Sequence, residues 1–495
     1  DYNRVYPLGS QACDLIGFTY DGTTADWGIE GYYSSLLNGV DGRQYGYYND
    51  DADVEQQIVE PVDGKNVVST IDINIQQIIR TAIENYNTRM ADGPNEGEPA
   101  KNVGVIVMDP DTGEILGMDS SDWYDLNDPR DLSSFYTREE IDAMSEEEML
   151  EHLNDIWRNY CISDTYEPGS TYKPITVASA LECGAISEDD TYYCGGYYTV
   201  SGQIIRCAHL AGHGMLTVPE SLSYSCNACL MQIGEKLGAS DFLRYQKMFQ
   251  FGSKTGIDLP GEASGILFTE DTMKDLELAT STFGQGFTCT MIQEAAAFCS
   301  LINGGYYYQP HVVSTVTDSA GTVVETMEPT LQCQTVSRET SDFIREALGG
   351  SMEAGHSGAA AKVEGYSMGG KTGTAQKFPR EEEKYVVSFI GYAPLDDPEV
   401  VVYVVIDEPN AVPQSNSTYA QEVAKEILTA LLPYMNLYPD EGENAEGGDS
   451  TSEQGAYNEN LPEPGEEPED EQVESGGNNL LTDGITNEEQ KLLEG

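Results

Sequence analysis

An α+β fold followed by an acidic tail is what this sequence predicts, and three observations carry the prediction. Helical and strand patterns alternate between residues 170 and 371. Two runs rich in β-branched and aromatic residues, 384–392 and 399–406, read as neighbouring strands, with 371–378 as the edge strand beside them. From residue 439 the composition turns to Glu, Gly, Asn and Pro, and between Asp440 and Gln490 there are 17 acidic residues and no Lys or Arg. Such a stretch cannot bury enough apolar surface to offset its chain entropy. Residues 437–495 are therefore expected to be disordered, although a faint apolar periodicity at 480–493 would suit a short helix.

Charge and length narrow the function classes. The 495 residues exceed one typical domain, and the formal net charge is −60, most of it outside the tail. Phosphate binding needs clustered Lys and Arg, so nucleic acid is not expected as a partner. The same charge argues against a basic patch for anionic lipid or polyanionic wall polymer. Solubility explains it, with docking of a cationic partner by the tail as the alternative. No run of about eighteen apolar residues would span a bilayer. The sequence starts at Asp1, not Met, and is expected to be a piece whose membrane anchor lies outside it.

Three short strings carry the chemistry, in the order of an active-site serine set. The first is Ser170-Thr171-Tyr172-Lys173. A serine hydroxyl is a weak nucleophile at neutral pH and needs a base, and positions i and i+3 of a helix share a face, which puts Lys173 within reach of Ser170. Pro168, Gly169 and Pro174 suit a sharp entry into a first helical turn, whose N-H groups and dipole favour an oxyanion. Lys173 acts as a base only when neutral, which calls for burial or a nearby cation, and Lys371 is the candidate cation.

The second string, Ser225-Cys226-Asn227, offers a hydroxyl for proton relay at Ser225 and an amide at Asn227 that both donates to and accepts from a peptide. The third is Lys371-Thr372-Gly373-Thr374, preceded by Gly369 and Gly370. Its glycines let a substrate approach the backbone. The Thr372 and Thr374 hydroxyls beside the Lys371 ammonium suit a carboxylate, and the Thr374 N-H would complete an oxyanion hole with the Ser170 N-H. Each string alone occurs in ordinary helices and turns; their order, spacing and flanks make the joint reading.

With its flanks, the first string (residues 167–176) resembles the nucleophile helix of class B penicillin-binding proteins, the monofunctional peptidoglycan transpeptidases. Residues 68–76, 105–118 with an Asp-Thr-Gly turn, 255–261, 282–286 and 302–305 resemble the same family, and residues 4–31 resemble the end of its non-catalytic pedestal. The resemblance runs from about residue 4 to about 433 and implies a five-stranded antiparallel sheet flanked by helices, with a helical subdomain beside the site. It implies residues 1–66 as the C-terminal part of a pedestal or dimerisation domain and 67–436 as the transpeptidase domain.

By resemblance, Ser170, Lys173, Ser225 and Lys371 are catalytic, and Asn227, Thr372, Gly373 and Thr374 bind substrate; no metal or cofactor is assigned. Peptidoglycan stem peptides and β-lactams are the implied ligands. The implied partners are membrane proteins of cell-wall synthesis, met at the extracytoplasmic face of a bacterial membrane through an N-terminal region outside this sequence. Alternatives are a β-lactam sensor, an idle scaffold, or a β-lactamase, though the Glu-bearing loop of class A β-lactamases is not evident between Asn227 and Lys371. A Ser-His-Asp hydrolase is dropped because Ser170 lacks a G-x-S-x-G elbow.

Ten cysteines need an account. Cys226 and Cys229, expected on one helix, and Cys289 and Cys299, flanking an apolar helix, read as small buried residues. Cys194 and Cys207 bracket a hairpin with its turn at Ser201-Gly202, and a disulfide or free thiols are favoured there over a Cys2His2 zinc site with His209 and His213. The two histidines are otherwise expected to be packed or to line the rim.

Overall fold

The computed structural model describes residues 4–20, 22–48, 54–94 and 99–441. Most of the acidic tail, including residues 480–493, lies outside the described residues. No helix among them is long and apolar enough to cross a membrane.

A five-stranded antiparallel sheet organises the chain, built from β1 (Asn102–Met108), β2 (Ile115–Asp119), β3 (Gly369–Gln376), β4 (Tyr385–Ala393) and β5 (Val400–Asp407) in the order β3-β4-β5-β1-β2. Its central strands read as near-continuous apolar runs because both faces are covered, and successive side chains go to opposite faces. Val400, Val402, Val404 and Ile406 of β5 join one core, while Val401, Tyr403 and Val405 join the other. The expected strands are all present, and the expected edge strand is β3. The Asp-Thr-Gly turn links β1 to β2, with Asp109 Oδ1 accepting from the N-H of Asp111 and Thr112.

Helices α1 (Ile73–Met90) and α6 (Thr418–Tyr434) pack on the first face. Asp72 starts α1 by accepting from Asn74 N and Ile75 N, the cap its position predicts. Across the sheet lie α2 (Lys173–Glu182), α3 (Val218–Ser223), α4 (Asn227–Leu237) and α5 (Met291–Ile302). Every residue of α5 is buried, as a helix apolar all round should be. Cys289 precedes α5 and Cys299 lies within it, so the pair does not flank the helix. Cys226 caps α4 from outside and Cys229 sits inside it.

The described residues between 4 and 66 include three short helices and two antiparallel strands, Arg43–Tyr48 paired with Val54–Val59. Leu15 and Tyr33 enter the second core, and Tyr33 OH donates to Asp258 Oδ2 at 2.7 Å. The expected division at 66/67 falls at the strand Asn66–Ser69, which pairs with Val313–Thr317.

Candidate active site

Ser170 sits in a 3-10 turn, Gly169–Tyr172, that runs directly into α2. Gly169 has φ +63°, and a Cβ there would lie 2.5 Å from Thr374 O and 2.0 Å separates Gly169 O from a Cβ added to Gly284. Glycine at both positions lets three backbone segments meet: the nucleophile turn, the sheet edge β3 and residues 282–286. Gly169 N-H donates to Gly284 O at 2.9 Å, and Thr176 Oγ1 to Thr282 O at 2.9 Å. Residues 282–286, noted from the sequence without a role, are therefore the cradle of the nucleophile turn. Glu167 tightens the rim, accepting from Arg380 Nη2 at 2.9 Å and from Gly286 N-H at 2.8 Å.

The three strings converge on one hydroxyl. Lys173 Nζ lies 3.0 Å from Ser225 Oγ, and Lys371 Nζ lies 2.9 Å from the same atom from across the cleft. Lys173 also donates to Ser225 O and, at 2.7 Å, to Asn227 Oδ1. Both lysines are fully buried, so their heads are held by these partners and not by solvent. Lys371 further reaches Thr372 O at 3.2 Å and Thr372 Oγ1 at 3.5 Å. Ser225 adopts a left-handed conformation, φ +51°, between α3 and α4. A non-glycine residue in that region costs on the order of 1–3 kcal/mol and persists only where its surroundings hold it.

On β3, Gly373 packs against the nucleophile turn, where a Cβ would meet Pro168 O and Thr171 Cγ2, each at 3.1 Å. Thr372 stays beside Lys371, as expected. The Thr374 hydroxyl instead donates to Ser415 O at 3.3 Å, so its side chain braces the segment before α6 and its backbone faces Gly169. Lys173, Ser225, Asn227 and Lys371 thus share one hydrogen-bonded cluster, and the Ser170 turn packs against the strand that carries Thr372, Gly373 and Thr374. Glu294 of α5 is fully buried, and burial pushes its carboxyl up to about 8.

The ten cysteines carry free thiols, Cys194 and Cys207 included. Ser201-Gly202 is the expected tight turn, with φ +47° and +85° between the strands Tyr197–Val200 and Gln203–Arg206. Cys194 and Cys207 meet a third cysteine, Cys226, together with His213, whereas His209 stacks on the His213 ring at 4.9 Å. Residue spacing gave no sign that Cys226, on the far side of α3, would complete the group.

The family model described as the penicillin binding protein transpeptidase domain matches residues 103–429. Stage V sporulation protein D of Bacillus subtilis is 36% identical over 451 residues, 89% of this chain and 65% of that protein. Penicillin-binding protein PbpB of Mycolicibacterium smegmatis is 29% identical over 89% of this chain and 66% of its own length. The chain thus spans just under two thirds of these curated relatives. Among solved structures, the D,D-transpeptidase domain of a peptidoglycan glycosyltransferase from Eggerthella lenta aligns with TM-score 0.70 at 25% identity, covering 88% of this chain and 94% of that one. Penicillin binding protein 3 of Mycobacterium tuberculosis, 24% identical, shares the fold with TM-score 0.73 over 88% of this chain and 91% of that one.

Proposed function

Since the chain belongs to the penicillin-binding protein transpeptidase family, in its class B branch, we propose that it is a serine D,D-transpeptidase working through a Ser170 acyl-enzyme at the extracytoplasmic face of the membrane. The observation that carries this reading is the Ser225 hydroxyl bridging Lys173 and Lys371 at 3.0 and 2.9 Å. One oxygen accepts two N-H groups and keeps its own proton to give, which is what a relay between base and leaving amine requires.

Ser170 Oγ attacks the carbonyl of the penultimate D-alanine of a stem peptide, and its proton passes to neutral Lys173. The carbonyl π pair moves to oxygen, where the N-H groups of Ser170 and Thr374 hold it. Collapse breaks the C-N bond, and terminal D-alanine leaves with a proton delivered from Lys173 through Ser225. Lys371 and the Thr372 hydroxyl bind the terminal carboxylate, and Asn227 bonds the donor peptide. An amine of a neighbouring strand then attacks the ester, gives its proton back along the same route and releases Ser170. A β-lactam acylates the same oxygen, but its opened ring stays tethered and blocks the acceptor.

Intact-mass spectrometry after incubation with benzylpenicillin, followed over hours on wild type and Ser170→Ala, tests this. One lasting adduct on wild type alone is expected, together with D-alanine release from a stem-peptide substrate. Turnover of the drug without an adduct would make the protein a β-lactamase; an adduct without D-alanine release would make it a sensor; no reaction would leave a scaffold.

A further inference from the structure

We propose that Cys194, Cys207, His213 and Cys226 bind one zinc ion, forming a metal clamp beside the Ser225 turn. One ligand atom from each of the four residues lies within 4.8 Å of all the others. Cys207 Sγ is 3.8 Å from Cys226 Sγ and 3.8 Å from His213 Nδ1. Tetrahedral zinc, with Zn-S of about 2.3 Å and Zn-N of about 2.0 Å, sets S···S edges near about 3.8 Å and S···N edges near about 3.5 Å. A disulfide needs about 2.05 Å, so the two Cys207 contacts have the dimensions of a coordination shell and not of a bond.

The surroundings fit thiolates. The backbone amides of His213 and Gly196 near Cys194, and that of His209 near Cys207, favour the thiolate form. Outer hydrogen bonds of this kind orient metal ligands and stabilise their charge. The three cysteines are buried and His213 is half-buried, which leaves a closed four-ligand set, the form of structural zinc sites. Three thiolates and an imidazole select zinc over hard cations. Ordinary packing accounts for Cys289 and Cys299, but not for four polar heads turned toward one point.

The four ligands come from four separate stretches of chain. Cys194 ends the strand Thr191–Cys194, His213 precedes its partner Gly214–Thr217, Cys207 follows the Ser201-Gly202 hairpin, and Cys226 is the N-cap of α4. Cys226 stands between Ser225 and Asn227, and a metal bond to its sulfur would hold the left-handed Ser225 in register with Lys173 and Lys371. This role is one of positioning, and it revises the expectation of a chain without a metal.

Elemental analysis of the full chain, purified under reducing conditions without chelator, supplies the test. One equivalent of zinc is expected in wild type and in the control Cys183→Ser, with loss of that equivalent in Cys194→Ser and in His213→Ala. His213 is partly exposed, so its variant keeps the test open if the cysteine variant misfolds. Exchange of wild type with Co2+ should give the visible bands and near-ultraviolet charge transfer of a tetrahedral thiolate site. Less than a tenth of an equivalent of zinc after reconstitution and desalting would overturn the proposal, as would full zinc retention by both variants, or a Cys207-Cys226 disulfide in peptide maps of the reduced-purified, metal-free protein.

Discussion

The two faces of the central sheet are built from different chemistry. The face under α1 and α6 is packed by Val103, Val105, Val107, Val402, Val404, Ile427, Leu428 and their neighbours, with aliphatic groups prevailing. The opposite face carries Tyr403, hydrogen-bonded to Tyr166, and supports the buried Glu294, Lys173 and Lys371. Burying such groups costs free energy that only good pairing offsets, whereas aliphatic burial contributes roughly 25 cal/mol per Å². The closed face therefore stabilises the frame that lets the other face hold charged groups out of water, and the site sits where the strained and buried polar elements gather.

Substitutions on the two faces should separate along that line. Ser170→Ala is expected to abolish the penicillin adduct with the melting temperature nearly unchanged, and Lys173→Met to slow acylation by roughly 10² to 10⁴-fold. Equal acylation rates in Lys173→Met and wild type would break the assignment of the base. On the closed face, Leu428→Ala should cost roughly 2–5 kcal/mol in denaturant unfolding while the folded fraction still takes up one penicillin per chain. A loss of adduct out of proportion to the folded fraction would mean that the two faces are coupled. Chelation of the proposed zinc lies between these extremes: acylation should slow by about tenfold, the scale on which metal-site support acts, and recover on adding zinc back.

Much of the catalytic face was legible because its reactive groups lie in short strings whose order and flanks are informative. Strands β4 and β5 were legible from their β-branched runs, and the Ser201-Gly202 turn from its residue types, since φ is positive at both positions. What stayed hidden depends on segments meeting in space. Gly284 touches Gly169 across more than a hundred residues of chain, and Cys226 meets Cys207 from the far side of α3. The short helices before residue 40, of four or five residues each, have too few positions to display a period. Thr374 was assigned both by its hydroxyl and by its N-H, and of the two the hydroxyl donates to Ser415 O.

The smallest expected effect concerns Glu294 and tests whether the site face does carry a standing cost. Neither of its carboxylate oxygens has a hydrogen-bond partner among the described residues, and the nearby Thr171 hydroxyl gives its proton to Pro168 O at 2.9 Å. Burial raises the folded-state carboxyl from 4.5 to about 8. Below pH of about 4.5 the folded and unfolded chains both hold the proton. As pH rises above that value, the unfolded chain ionises while the folded one stays neutral, so the unfolded state binds fewer protons and stability falls until pH passes about 8. Glu294→Gln removes this dependence. Its stability relative to wild type should therefore climb between pH 5 and pH 8, by roughly 1–4 kcal/mol on the scale of 1.4 kcal/mol per pKa unit. Thermal unfolding of both proteins at the two pH values measures it. A difference that does not change with pH would mean that Glu294 is ionised in the folded protein, and the contrast between the two faces would then rest on the lysines alone.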